Sequence, residues 1–284
     1  MIYLIFSILS SVLVAVVIRR NEARRLDRLG VMLFNYLAAL VVGTILNGVS
    51  GEMGLNLRLL PIALATATIF VSAFIVYMVA IQRLGIAIPV TVTRLSVVIP
   101  VLGSLLLYAE RLSPHQYLGL LLALVAIYLF SWQSEAKRNR RWSNTRTGFV
   151  IPLLLFVLMG SGDMSLKVFQ EQFGSQWMMP YMLLVFFLSG VLTAVLVVWR
   201  RVPLNRAVAV GGMLLGLANF ASAYFILKVL QHLPGALAFP LNNIGIILLS
   251  TLVGYLWWEE KITLRVGSAI VLAVIAVLLL TLNA

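Results

Sequence analysis

Apolar runs of about twenty residues recur along the whole of this chain, and no other feature restricts its fold as much. A run of that length, wound at 1.5 Å per residue, crosses the ~30 Å hydrocarbon core of a bilayer. Of the 284 residues, 62% are hydrophobic and 11% charged, against roughly 25% charged in an ordinary soluble domain. A chain so poor in charge cannot cover its apolar residues with polar surface. In lipid, every backbone N–H and C=O must find its partner inside the protein, and runs this long satisfy that condition as helices. The expectation is an all-α integral membrane protein with ten transmembrane helices. They are predicted over residues 2–18, 29–49, 59–81, 86–108, 117–132, 148–169, 177–199, 207–229, 235–257 and 266–283.

The first run, MIYLIFSILSSVLVAVVI, lacks a basic stretch ahead of it and a small-x-small cleavage site. It is therefore expected to remain as a helix rather than to serve as a signal peptide. The chain has no cysteine, which excludes disulfides, thiolate nucleophiles and cysteine metal sites. The net charge of +12 would suggest nucleic acid for a soluble protein. Here the basic residues fall between apolar runs, where membrane topology accounts for them, and no nucleic-acid partner is expected.

The longest connection, SEAKRNRRWSNTRT at 134–147, divides the chain into halves of five helices, 1–133 and 148–284. The halves resemble each other. At a constant offset of 150, Gly85 aligns with Gly235, Glu110 with Glu260, Arg111 with Lys261, Ser113 with Thr263 and Ser72 with Ser222. Because five is odd, the second copy must enter the membrane in the opposite direction, giving two inverted five-helix repeats. Most of the 21 Lys and Arg residues lie in alternate loops, including RRNEARRLDR and the 134–147 linker. The positive-inside rule puts those loops in the cytoplasm and both termini outside. The expected location is a bacterial-type inner (plasma) membrane, crossed many times. Arginines that bind lipid headgroups without setting topology are the alternative.

The segments GIAIPVTVTRLSVVIPVLGSLLLYAERLS and GALAFPLNNIGIILLSTLVGYLWWEEKIT carry a family resemblance. With a G-x-A-x-P entry into helix four and an E-R/K-hydrophobic-S/T signature after helices four and nine, they resemble the drug/metabolite transporter (DMT) superfamily, in particular its EamA-like branch. The resemblance covers essentially the whole chain, but its motifs are structural and name no substrate. It implies a central cavity lined mostly by helices 1, 3, 4, 6, 8 and 9, with helices 5 and 10 peripheral. Members of that branch usually keep both termini in the cytoplasm, whereas the charge pattern here puts them outside.

Arg94 lies roughly 13 Å into the fourth span at 1.5 Å per residue. A central arginine costs about 2.5 to 3.5 kcal/mol on insertion scales, so it normally faces a wet cavity or a partner rather than lipid. Snorkelling to the headgroups is the competing reading, and 13 Å is long for this side chain. Its guanidinium suits a carboxylate or phosphate. Thr91 and Thr93 flank it, and Val92 and Thr93 align with Asn242 and Asn243 of helix nine. That asparagine pair either contacts substrate or joins two helices. Pro89, Pro100 and Pro240 free backbone carbonyls nearby.

Asn219 and Ser222 of helix eight and Tyr77 of helix three complete the candidate substrate-binding set. Asp163 is the candidate coupling residue. Its bland alternative is an i,i+4 pair with Lys167 on one helix face. The depth of Asp163 differs from that of Arg94 by about 9 Å, which disfavours a tight salt bridge and suits a small zwitterion spanning the two. Gly212 and Gly216 read as a helix-packing pair, Glu110, Glu259 and Glu260 as caps at helix ends, and His232 as a solvated loop residue.

The function expected from these features is a secondary transporter. It would move a small polar metabolite, anionic or zwitterionic such as an amino acid or carboxylate, by alternating access. The alternatives are a flippase for a lipid-linked, phosphate-bearing substrate, or an exporter of drugs or nucleobases. No ATP-binding G-x-x-x-x-G-K-S/T loop is present in the sequence, so direct ATP drive is not expected. With two histidines and one aspartate inside a span, neither catalysis nor a metal or other cofactor is expected. The partners are a small-molecule substrate and membrane lipids, with the chain acting as monomer or homodimer.

Overall fold

A computed structural model describes residues 1–50, 57–84, 87–132, 146–258 and 264–282. Gly85, Glu259, Glu260, Lys261, Thr263 and nearly all of the 134–147 linker lie outside the described residues. All regular structure among the described residues is helical: α1 (Ile2–Ala23), α2 (Arg28–Ser50), α3 (Leu60–Leu84), α4 (Ala87–Leu95), α5 (Val98–Leu107), α6 (Pro114–Trp132), α7 (Arg146–Phe173), α8 (Met178–Trp199), α9 (Arg206–Leu230), α10 (Gly235–Trp258) and α11 (Leu264–Thr281). Among the described residues, eight segments are long and apolar enough to cross a membrane, one of them the interrupted stretch Ile88–Leu107. Shorter apolar helices occupy Pro114–Leu129 and Val266–Thr281. The protein is a helical, multi-pass membrane protein.

Two predicted boundaries shift for identifiable reasons. α1 continues to Ala23, beyond the predicted end at 18, because RRNEA is polar but contains nothing that breaks a helix. The predicted fourth span is two helices rather than one. Pro100 has no N–H to offer the Ser96 carbonyl, and α4 stops at Leu95. The Ser96 oxygen instead accepts the Ile99 N–H at 3.0 Å, and α5 begins at Val98.

The chain forms two compact units, each drawing helices from both sequence halves. The first comprises Met1–Val71 and Val168–Gln231, and in it α1 and α2 pack on α9 while α2 also packs on α8. α9 comes close to α2 because Gly212 and Gly216 carry no side chain. A Cβ on Gly212 would stand 2.5 Å from the Val31 carbonyl oxygen. The Phe169 and Tyr181 rings stack at 3.9 Å, and the Tyr181 hydroxyl meets Thr66 Oγ1 at 2.9 Å, so the buried phenol keeps a partner. The second unit comprises Ser72–Lys167 and His232–Ala284. There α6 packs along α11, α10 lies against α5 and α6, and α4 contacts α6.

Candidate functional site

Within the second unit, the break between α4 and α5 organises the candidate residues. Two hydroxyls turn inward to the backbone beside it. Thr93 Oγ1 donates to the Val90 carbonyl and Ser96 Oγ to the Thr93 carbonyl, each at 2.8 Å. Such back-bonding compensates a helix that is losing its own ladder. It also commits the Thr93 proton to the backbone, leaving this side chain only acceptor capacity for a ligand.

α7 reaches the break because of Gly160. A Cβ there would lie 2.6 Å from Ile99 Cβ and 2.7 Å from the Ser96 carbonyl oxygen. Next along α5, Gly103 seats Met164 in the same way, with a built Cβ 2.5 Å from the sulfur. Asp163 follows Gly160 by three residues and so shares its face of the helix. That placement carries its carboxyl toward Arg94, the last charged residue before the break. Arg94 lies within electrostatic reach of Asp163 and of Tyr77 on α3. Arg94, Asp163 and Tyr77 are each partly buried. No contact ion pair joins Arg94 to Asp163 among the described residues. The unit therefore holds two partly buried ionisable groups that are not paired with each other among the described residues.

Lys167, the alternative i,i+4 partner of Asp163, is paired with Glu110 instead. Lys167 Nζ lies 2.6 Å from Glu110 Oε1 and 5.5 Å from the centre of the Tyr108 ring, and the lysine is 2% exposed. Glu110 also accepts the backbone N–H of Gly235 at Oε1 and of Ala236 at Oε2, both at 2.8 Å. A carboxylate at a helix N-terminus satisfies orphan donors and faces the positive end of the dipole. Glu110 thus caps α10 and neutralises Lys167 together. The carboxylate, expected as a cap at its own helix end, caps a helix from the other half of the chain, and its lysine partner lies too far along the chain for helix spacing to reveal.

On α10, Asn243 Nδ2 donates weakly to the Phe239 carbonyl at 3.5 Å. Asn242 Oδ1 is buried and accepts no hydrogen bond among the described residues. A buried acceptor left open is uncommon and marks Asn242 as the better ligand candidate of the two. Thr91 and Tyr77 have contacts of their own. Asn219 and Ser222 belong to the first unit, where they join helices. Asn219 Nδ2 donates to Asn35 Oδ1 of α2 at 3.1 Å, and Ser222 Oγ meets Ser11 Oγ of α1 at 2.7 Å. His232 is exposed.

No protein-family model matches the chain. A Haemophilus influenzae protein, itself described as an uncharacterized protein, is 28% identical over 270 residues, covering 92% of this chain and 90% of the relative. A solved crystal structure superposes with a TM-score of 0.80 at 16% identity, covering 100% of this chain and 97% of that one. At that identity the likeness is one of fold.

Proposed function

We propose that the protein is a ten-helix secondary transporter of the EamA-like, drug/metabolite transporter type, built as two inverted repeats. It moves a small anionic or zwitterionic metabolite by alternating access. The single observation that carries this reading is that Arg94 and Asp163 both lie partly buried in one unit beside an interrupted membrane helix, with no ion pair between them among the described residues. A charge in a membrane span costs several kcal/mol unless it is compensated, and two that stop short of each other suit a ligand able to complete the pairing. A carboxylate bound at Arg94 takes up the guanidinium fork, and an ammonium group on the same solute faces Asp163. Simple carboxylates use the first contact alone. Interrupted helices are a common feature of transporter binding sites.

The test is a thermal-shift panel of amino acids, carboxylates, sugars, nucleobases and lipophilic cations on purified wild type and Arg94→Ala. Amino acids or carboxylates are expected to raise the Tm of wild type only. Neutral or cationic hits that survive Arg94→Ala would overturn the substrate class.

A further inference from the structure

The first unit ends in two turns built on one plan, and both place an arginine where glycine is the usual choice. α1 closes at Arg24, and Arg25 follows with φ 53°. The Arg25 N–H reaches the Glu22 carbonyl at 2.9 Å and the Leu26 N–H the Asn21 carbonyl at 3.1 Å. α8 closes at Arg200, and Arg201 follows with φ 51°. The Arg201 N–H reaches Val198 at 3.1 Å and the Val202 N–H reaches Val197 at 3.0 Å. This double-bonded helix ending calls for a left-handed residue, a conformation free to glycine and strained for any L side chain. In each case a side-chain oxygen then caps the next helix: Asp27 Oδ1 accepts the Gly30 N–H, and Asn205 Oδ1 accepts the Val208 N–H, both at 2.9 Å.

The two turns lie together. A Cβ on Gly30 would stand 3.2 Å from Leu204 and 3.6 Å from Val202, and Asn21 Nδ2 donates to the Gly211 carbonyl at 3.2 Å. Arg20, Arg24, Arg25, Arg200, Arg201 and Arg206 are all exposed at this end. Its acids are already engaged, Glu22 by Arg28 through two bonds of 2.6 Å and Asp27 by its cap. Trp199, 74% exposed, adjoins the second turn, and exposed tryptophan beside a membrane helix end belongs at headgroup level.

Positive-inside topology and the helix dipole both favour basic residues near these ends. Neither requires an arginine in the strained position itself, when a neighbouring arginine already supplies charge. What the strained position adds is a second planar fork per turn, the group best matched to phosphate oxygens. We infer that this end of the first unit is a docking surface for anionic phospholipid headgroups, with the paired arginines of each turn gripping phosphate. Two such turns side by side suit a lipid carrying two phosphates.

The full chain in detergent, titrated with cardiolipin and followed by native mass spectrometry, tests this. Phosphatidylcholine serves as the neutral lipid and pyrophosphate as the free anion. Wild type is expected to hold cardiolipin in preference to both. Arg25→Gly with Arg201→Gly relaxes both turns, so its Tm in phosphatidylcholine stays level or rises while its cardiolipin affinity falls about thirty-fold. The lysine pair at the same positions keeps the charge without the fork and is expected to recover only part of that affinity. Arg24→Gln with Arg200→Gln leaves the left-handed residues alone and is expected to show a similar loss. Unchanged cardiolipin affinity in the glycine and glutamine variants would overturn the inference, as would pyrophosphate binding as tightly as cardiolipin.

Discussion

Arg94 poses an energetic problem that its neighbours only partly solve. A central arginine in a membrane span costs about 2.5 to 3.5 kcal/mol, and no contact ion pair with Asp163 offsets that cost among the described residues. In the proposed transporter the compensation comes from the ligand. Asp163→Asn is therefore expected to weaken amino acids at least ten-fold more than simple carboxylates, measured as competing ligands in a thermal-shift titration. Equal losses for both classes would count against a zwitterion site. Arg94 was legible in the sequence as the one arginine far inside an apolar run. The partner of Lys167 was not. An i,i+4 pair on a helix is worth only about 0.2 to 0.5 kcal/mol, and Glu110 offers the lysine more, a partly buried charge partner already fixed by two N–H groups of α10. Sequence spacing sees the neighbour on the same helix and misses a competitor brought in by the fold.

Among the elements, the α4–α5 break and the end of α10 are the points where single changes should matter most. Three prolines were visible as possible disruptions, but only one interrupts its helix. Pro89 stands in the first turn of α4, where its missing N–H has no helical partner in any case. Pro240 lies near the start of α10, which continues through it. Pro100 follows a helix already under way, and that helix ends at Leu95. Gly160→Leu must displace Ile99 and the Ser96 backbone, so a loss of about 1 to 3 kcal/mol is expected by thermal denaturation in detergent. An unchanged Tm would show that α7 does not depend on this close approach. Glu110→Ala strands Lys167 and uncaps α10 together, with an expected cost of about 3 to 5 kcal/mol. Lys167→Met with Glu110→Gln, which removes both charges and keeps a carbonyl acceptor for the cap, should recover much of it. A double variant as unstable as Glu110→Ala would contradict the shared role of the pair.

For the whole molecule, composition and run length sufficed to read a helical multi-pass membrane protein. The two compact units were not legible, because each combines helices from both halves of the chain and no linear pattern marks such a division. Sidedness is open to direct measurement, since the chain contains no cysteine and every introduced one reports alone. Cysteines replacing Ser113 or His232 are expected to react with an impermeant maleimide added outside intact cells, and one replacing Asn205 only after permeabilisation. The reverse pattern would put the termini in the cytoplasm.

In the proposed transporter, Arg94 anchors the carried solute. Purified wild type and Arg94→Ala, reconstituted into liposomes loaded with the acid or amino acid that most raises the wild-type Tm, would be assayed for exchange against external radiolabelled solute. The account predicts exchange in wild type that unlabelled solute competes away, and a fall to the level of empty liposomes in Arg94→Ala with its thermal stability retained. Wild-type protein that binds the solute and yet exchanges none above empty liposomes, or an Arg94→Ala variant that exchanges it as fast as wild type, would contradict the account.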